Sequence, residues 1–337
     1  MTTLAECLSG WAEGLAARRQ VATTLAALTE GAVRVAAMLA DGPEQDGEGE
    51  EIASQAAGRA GKIMLAALSG TPVAWAALEG VDTPVALQPG APLAVALEPL
   101  DGALNAGTAA PVGTIFSILP TPSVSGSDGT LAFLQRGERQ LAAGVVLYGP
   151  HTTLALTVRE GTHLFVLDRA SGTFRLRRRD MRIPEGRRTY AVNAANYRYW
   201  TEGVRTYVDD CIAGEDGPRG ADFKMRWMGC VAAEVIRILQ RGGIYLYPAD
   251  SRPDHTSGRL RLAFHAQPLA LLVEQAGGAA SDGVEPLLQT APRRLQERTP
   301  LIFGARDKVA RIADYETMKL PLGERSPLFG KRGLFRV

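Results

Sequence analysis

The spacing of apolar residues changes period near residue 70, and that change limits the chain to folds that pack helices onto sheets. Residues 4–39 are rich in Ala and Leu with charges at helical intervals, which predicts two amphipathic helices. An acidic, Gly-containing stretch at 41–51 (DGPEQDGEGEE) predicts a loop, and 52–68 resumes the helical pattern. Short apolar runs bounded by Gly and Pro follow at 72–78, 93–97 and 114–119, as in buried strands. Runs at 141–148, 152–158, 163–168 and 173–176 continue with β-branched and alternating residues. From Asn193 the helical signal returns, at 203–213 and 226–240, and Gly242-Gly243 ends the second helix before a strand at 244–247. A strand at 259–265, a helix at 268–276 and a strand at 301–303 complete the core. The expectation is a mixed α/β chain with a junction near residue 190: an N-terminal half of 1–190, a C-terminal half of 191–316, and a basic, Pro- and Gly-punctuated extension over 317–337.

With 337 residues the chain can bury one large core or two packed ones. A formal net charge of +1 gives no basis for nucleic acid or an anionic membrane as a partner. Basic residues are mostly Arg, which suits bidentate phosphate recognition, although genomic base composition produces the same bias. Cys7, Cys211 and Cys230 show no paired spacing, so neither a disulfide framework nor a zinc knuckle is expected. No basic region followed by an apolar run opens the chain, and the most apolar stretch considered, 268–280, is broken by Glu274 and Gly277-Gly278. These features predict a soluble, cytoplasmic protein.

The segment 97–105 (LEPLDGALN) concentrates chemistry. An apolar strand runs into two carboxylates three residues apart, Glu98 and Asp101, with Pro99 restricting the turn between them. Glu98, Asp101 and the carbonyl of Leu100 can converge on one hard cation, which prefers oxygen ligands. Gly102 lets the amides that follow, at Ala103 and Leu104, face an anion beside the metal. Cations that neutralise charge and orient water, together with donors that hold a phosphate, are what metal-assisted phosphoryl transfer requires. A solvated strand-to-turn corner has the same composition. Glu79, at the end of the preceding apolar run, and Glu50, in the acidic loop, are further acidic candidates. Gly58–Lys62 hints at a phosphate loop, but Ile63 follows the Lys and the segment lies inside a helical pattern, so nucleotide binding is discarded.

Residues 98–118 (EPLDGALNAGTAAPVGTIFSI) resemble the class I fructose-1,6-bisphosphatase pattern D-P-[IL]-D-G-S-S-N followed by G-T-I-F. In the same order, AAGVVLYGPHTTLALT (142–157), GGIYLYP (242–248), GRLRL (258–262) and EQAGGAASDG (274–283) are similar to that family, over roughly 40–310. The related inositol monophosphatases share the carboxylate turn but not GTIF, LYGP or YLYP. The resemblance implies an α/β fold, a layered α-β-α-β-α sandwich with mixed sheets, and hydrolysis of the 1-phosphate of fructose 1,6-bisphosphate or sedoheptulose 1,7-bisphosphate. It also implies a Mg²⁺ cofactor and a homotetramer.

By position, the resemblance assigns Glu79, Glu98 and Asp101 to catalysis, and Glu50, Glu79, Glu98, Leu100, Asp101 and His265 to metal. The substrate side would be Asp101, Gly102, Ala103, Leu104, Asn193, Arg226, Tyr247 and Arg259, with Arg226 reaching a phosphate on a neighbouring subunit. Several positions depart from the pattern. Ala56 replaces the Asp that helps activate water, Gly80 replaces the second Glu of S-E-E, Ala103 and Leu104 replace paired serines, and Trp227 replaces a Tyr. His265 stands where Y-E-C-N-P supplies a metal Glu, a change that favours Zn²⁺ or Mn²⁺ over Mg²⁺. Pro92-Leu93 replaces the Lys-Tyr of the AMP-regulatory site. Two expectations therefore stand: a metal-dependent sugar-bisphosphatase with weakened catalysis, or a non-catalytic paralogue that binds sugar phosphates or forms mixed oligomers with an active relative.

Overall fold

The computed structural model describes residues 2–42, 49–122 and 128–317. Three helices come first, α1 (Leu4–Ala12), α2 (Ala16–Ala40) and α3 (Gly49–Ala67). Thr3 caps α1 by a reciprocal arrangement in which its hydroxyl accepts from Glu6 N–H and Glu6 accepts from Thr3 N–H. By length and composition α2 passes as a membrane span, and it does so better than 268–280. Its apolar face (Val21, Leu25, Leu28, Ala32, Val35) is buried in the first core, so it serves as a core helix.

The strands that follow are β1 (Val73–Leu78), β2 (Val85–Ala86), β3 (Leu93–Asp101), β4 (Val112–Pro120), β5 (Ala142–Tyr148), β6 (Thr153–Thr157), β7 (Thr162–Asp168) and β8 (Thr173–Arg178). They form one sheet in the order β2-β1-β3-β4-β5-β6-β7-β8, antiparallel except for the parallel β1–β3 pair. Helices α1–α3 cover one face of this sheet. Strand β3 is buried along its whole length, which is why it reads as a continuous apolar run up to the carboxylates.

A second sheet contains β9 (Thr189–Val192), β10 (Lys224–Met225), β11 (Ile244–Tyr247), β13 (Ala279–Ser281) and β15 (Leu301–Gly304), in the order β10-β9-β11-β15-β13. A short pair, β12 (Leu260–Arg261) and β14 (Arg298–Thr299), lies beside it in sequence. Helices α5 (Val231–Arg241) and α6 (Gln267–Gln275) fill the space between the two sheets, in the core that joins Ile115 and Val145 to Tyr245 and Phe303. Helices α4 (Glu202–Ile212) and α7 (Arg306–Glu316) cover the far face of the second sheet. The layers run helix, sheet, helix, sheet, helix, as the α-β-α-β-α expectation has it.

Three local expectations are corrected. Residues 49–51 open α3 rather than a loop, and the remainder of the acidic stretch, 43–48, lies outside the described residues. The second C-terminal helix begins at Val231, not 226, because 224–230 runs extended: β10 pairs with β9, and Arg226 N–H donates to Tyr190 O at 2.8 Å. The strand expected over 259–265 stops at Arg261. Leu262–Ala266 instead form a π-helical turn continuous with α6, in which apolar and polar side chains alike are buried. The extension expected over 317–337 lies outside the described residues beyond Thr317.

Candidate active site

The site is built where β1 and β3 end. Strand β3 carries Glu98 and Asp101 across a register shift against β4, and Thr114 of β4 secures the irregularity by donating its hydroxyl to Pro99 O at 2.8 Å. Gly102 has φ 71°, and a Cβ there would lie 2.8 Å from Cβ of Cys230, so both backbone angle and space require glycine. The chain then enters a 3-10 turn, Ala103–Thr108, which Asn105 ties to the residue before β4 and to the segment leading into α5, its amide donating to Pro111 O and Met228 O.

Asp101 is 9% exposed and sits at the N-terminus of α5. Its Oδ2 accepts from Ala232 N–H at 2.8 Å and from the Cys230 thiol at 3.0 Å, so it caps α5 from a distant strand. Burial raises its pKa, against the pull of His265 and the two donors. Glu98, 7% exposed, accepts from Leu100 N–H at 3.1 Å and faces His265 Nε2 at 3.2 Å. The other ring nitrogen of His265, Nδ1, accepts from Arg261 N–H at 3.2 Å. Burial works against a charged ring and Glu98 works for it; the second prevails, and the pKa of His265 lies above its ordinary value. With Nδ1 accepting from the Arg261 amide, the neutral ring carries its proton at Nε2, against Glu98. Both ring nitrogens are thereby engaged within the chain itself.

Glu79, just past β1, is held by Arg261, whose Nε lies 2.9 Å from Oε1 and whose Nη1 donates to Gln296 O at 2.9 Å. The Gln296 side chain clamps the same turn, donating to Leu78 O and Val81 O and accepting from Gly80 N–H. Glu50 lies apart: it is exposed in the first turn of α3 and makes no bond to Glu79, Glu98 or Asp101 among the described residues. Gly58–Lys62 is interior to α3, which agrees with discarding the phosphate-loop reading.

On the sugar-phosphate side, Asn193 caps a 3-10 turn through Ala195 N–H, and Tyr247 ends β11. Trp227 stacks on Tyr245 and Tyr247, with ring centroids 5.8 Å apart in each case. Arg259 is exposed beside β12. Arg226 does not join them; it is exposed and lines a basic cavity with Arg187, Arg188, Lys224, Arg237 and Arg241. Leu104, at the turn expected to hold a phosphate, is 63% exposed.

Sequence reasoning missed Arg261, Gln296 and the role of Cys230. Arg261 was within the GRLRL motif, where only Arg259 was singled out. Gln296 carries no sequence signal, since its partners are backbone atoms more than 200 residues away.

A divalent cation can be tested against this donor set. Carboxylates of Glu79, Glu98 and Asp101 with the carbonyl of Leu100 are hard oxygen donors, and in donor chemistry they suit Mg²⁺ or Mn²⁺. Each of the three carboxylates already faces a donor on another side chain: Arg261 for Glu79, His265 for Glu98 and the Cys230 thiol for Asp101. Among the described residues, no three His, Cys, Asp or Glu side chains gather into a metal-holding cluster.

Comparison with known proteins places this arrangement. The N-terminal domain model of fructose-1-6-bisphosphatase matches residues 59–179, and the C-terminal domain model matches 183–317. A class 1 fructose-1,6-bisphosphatase of Xanthobacter autotrophicus is 46% identical over 341 residues, covering 99% of this chain and 92% of that protein. One from Rhizobium meliloti is 49% identical over 273 residues, covering 81% and 78%. Among solved structures, Leishmania major fructose-1,6-bisphosphatase in the T-state superposes with a TM-score of 0.85 at 26% identity, covering 94% of this chain and 99% of that one.

Proposed function

The chain belongs to the class 1 fructose-1,6-bisphosphatase family, and from that premise we propose that it hydrolyses the 1-phosphate of fructose 1,6-bisphosphate. The observation that carries this reading is the convergence of Glu98, Asp101 and the Gly102 turn at the N-terminus of α5, in a chain aligned over 99% of its length with a relative of that name. Helix α5 directs its amide donors and positive dipole end at this point, which favours anionic groups beside it.

Glu79, Glu98, Asp101 and the Leu100 carbonyl would hold the divalent cation, with Mg²⁺ the ion the family resemblance favours and Mn²⁺ or Zn²⁺ as alternatives. When bound, such an ion supplies charge neutralisation on the phosphoryl oxygens and orientation of water. The protein's own residues do the rest. Amides at Ala103 and Leu104 would hold the 1-phosphate, and His265, by donating to Glu98, would fix the direction of that carboxylate. Asn193, Tyr247 and Arg259 would bind the 6-phosphate, with Arg226 contributed by a neighbouring copy in a homotetramer. A cytoplasmic setting belongs to the same reading.

Loss of acids at Ala56, Gly80 and His265 supports slow turnover, since positioned acid–base groups typically contribute about 10²–10⁴-fold. The pairing of Glu79 with Arg261 and Glu98 with His265 also favours a second reading, a sugar-phosphate-binding paralogue that hydrolyses little. A phosphate-release assay with Mg²⁺, Mn²⁺ and Zn²⁺, using Asp101→Ala as the blank, separates the two. Release above the blank supports hydrolysis. No release with any ion, together with thermal stabilisation by fructose 6-phosphate, supports the binding paralogue.

A further inference from the structure

Behind Glu79 lies a cavity of about 680 Å³ whose wall carries Arg261, Arg293, Arg294 and Arg298. Two acids, Asp82 and Asp254, share the lining, so cations outnumber carboxylates by two. Arg298 is tied to the carbonyl of Asp254 at 2.8 Å. The guanidinium groups of Arg293 and Arg294 make no hydrogen bond or ion pair among the described residues. Thr256, whose hydroxyl donates to Pro253 O at 3.4 Å, and Ser257 line the same wall. Guanidinium forks with hydroxyl donors are the chemistry that takes a tetrahedral oxyanion.

The cavity is mechanically joined to the reacting centre. Gln296, on its wall, bonds to the backbone at Leu78, Gly80 and Val81, on both sides of Glu79. Arg261 is shared: its Nε holds Glu79, while the same guanidinium lines the cavity. An oxyanion among the arginines would compete with Glu79 for Arg261, and a Glu79 released from that ion pair regains its oxygens for a divalent cation.

We propose that this cavity is a binding site for a phosphate-class oxyanion, and that its occupation draws Arg261 from Glu79 and so strengthens divalent-cation binding at the reacting centre. The coupling half of the proposal rests on the reading of Glu79 as a cation ligand; the anion site itself does not. Linkage requires that the effect be mutual, so the cation must strengthen anion binding by the same factor.

The test uses the full-length chain and calorimetric titration, with inorganic phosphate and fructose 6-phosphate as separate probes and Mn²⁺ titrated with and without phosphate. Arg293→Ala with Arg294→Ala removes two exposed cations that no buried contact depends on, and an unchanged melting temperature confirms the fold. The expected result is a loss of about tenfold or more in the affinity of one probe, because two charge-assisted donors are gone. Loss confined to inorganic phosphate identifies a free ion as the occupant, and loss confined to fructose 6-phosphate identifies the phosphoryl end of a metabolite. Phosphate should also tighten Mn²⁺ binding in the parent chain and fail to do so in the double variant, whose Mn²⁺ affinity without phosphate is unchanged. Equal affinity for both probes in parent and variant overturns the site, and Mn²⁺ binding indifferent to phosphate in the parent overturns the coupling. None of these readouts needs turnover, so a chain that binds as described but releases no phosphate from fructose 1,6-bisphosphate would lose the hydrolytic reading alone.

Discussion

The carboxylate end of the site and its sugar-phosphate end are prepared in opposite ways. Glu79, Glu98 and Asp101 each accept a bond from a donor elsewhere in the chain: Arg261, His265 and the α5 amide of Ala232. Arg226 and Arg259 instead stand exposed. For Glu98 and Asp101 the difference follows from burial, whereas the Glu79 side chain is part-exposed. A buried carboxylate left without a partner costs several kcal/mol, whereas an exposed guanidinium is solvated and costs little while it waits for a ligand. In this molecule the acids that would hold a cation are already balanced by the protein, and a bound ion must replace or join those contacts.

The largest effect expected from testing this contrast is at Asp101. Asp101→Asn should cut phosphate release by on the order of 10²–10³-fold, as for removal of a preorganised charge at a reacting centre. The same variant should lower stability by about 1 kcal/mol through the weakened cap on α5, read in a denaturant titration. A variant with normal turnover would place the chemistry elsewhere.

Adding acids sharpens the comparison from the other side. His265→Glu, alone or with Ala56→Asp and Gly80→Glu, should raise Mg²⁺ affinity and turnover by about tenfold or more. Unchanged Mg²⁺ affinity in calorimetry would show that the internal donors do not limit the centre. On the phosphate side, Tyr247→Phe should raise KM by about fivefold with little change in kcat, the loss of one hydrogen bond of about 1 kcal/mol. A fall in kcat instead would mean that the two ends are not separable.

The smallest effect concerns the loop after β11. Asp250 is held by Arg252 and lies beside His255, and its pKa falls from the usual 3.8 to about 2, chiefly through the Arg252 hydrogen bond. A carboxyl depressed on folding contributes stability that is complete above 3.8 and is lost as pH falls toward 2. Acid titrations of the parent and of Asp250→Asn should therefore converge below about pH 2 and separate above pH 4. Curves that stay parallel throughout would remove Asp250 from the account.

The helices and buried strands were legible because period and burial leave a local mark. The runs at 72–78, 93–97 and 114–119 emerge as β1, β3 and β4 with ends shifted by a few residues. The misread segments are those in which tertiary contact overrides pattern. Residues 259–265 alternate like a strand, yet Leu262 N–H pairs with Glu297 O and the chain turns into a π-helix. Residues 226–230 carry helix-forming composition, but Arg226 is drawn into line with Tyr190 of the second sheet. The candidate site divides in the same way. Glu98, Asp101 and Gly102 announce themselves as neighbours in sequence, while Arg261 reaches Glu79 across 182 residues and Gln296 reaches the backbone on either side of it across more than 200.

By itself the sequence determined the layered α/β class, the position of the carboxylate turn and the absence of acids at Ala56, Gly80 and His265. Only the tertiary structure decided which atoms the residues around that turn meet. The two nitrogens of His265 meet Glu98 and the Arg261 amide, which arrive there by packing. The partner that holds Glu79, and the arginine cavity behind it, exist because β12 and the loop around Gln296 are folded against the end of β1. Local sequence sets periodicity and turn geometry; the pairing of buried charges is a property of distance in space, which no window of sequence contains.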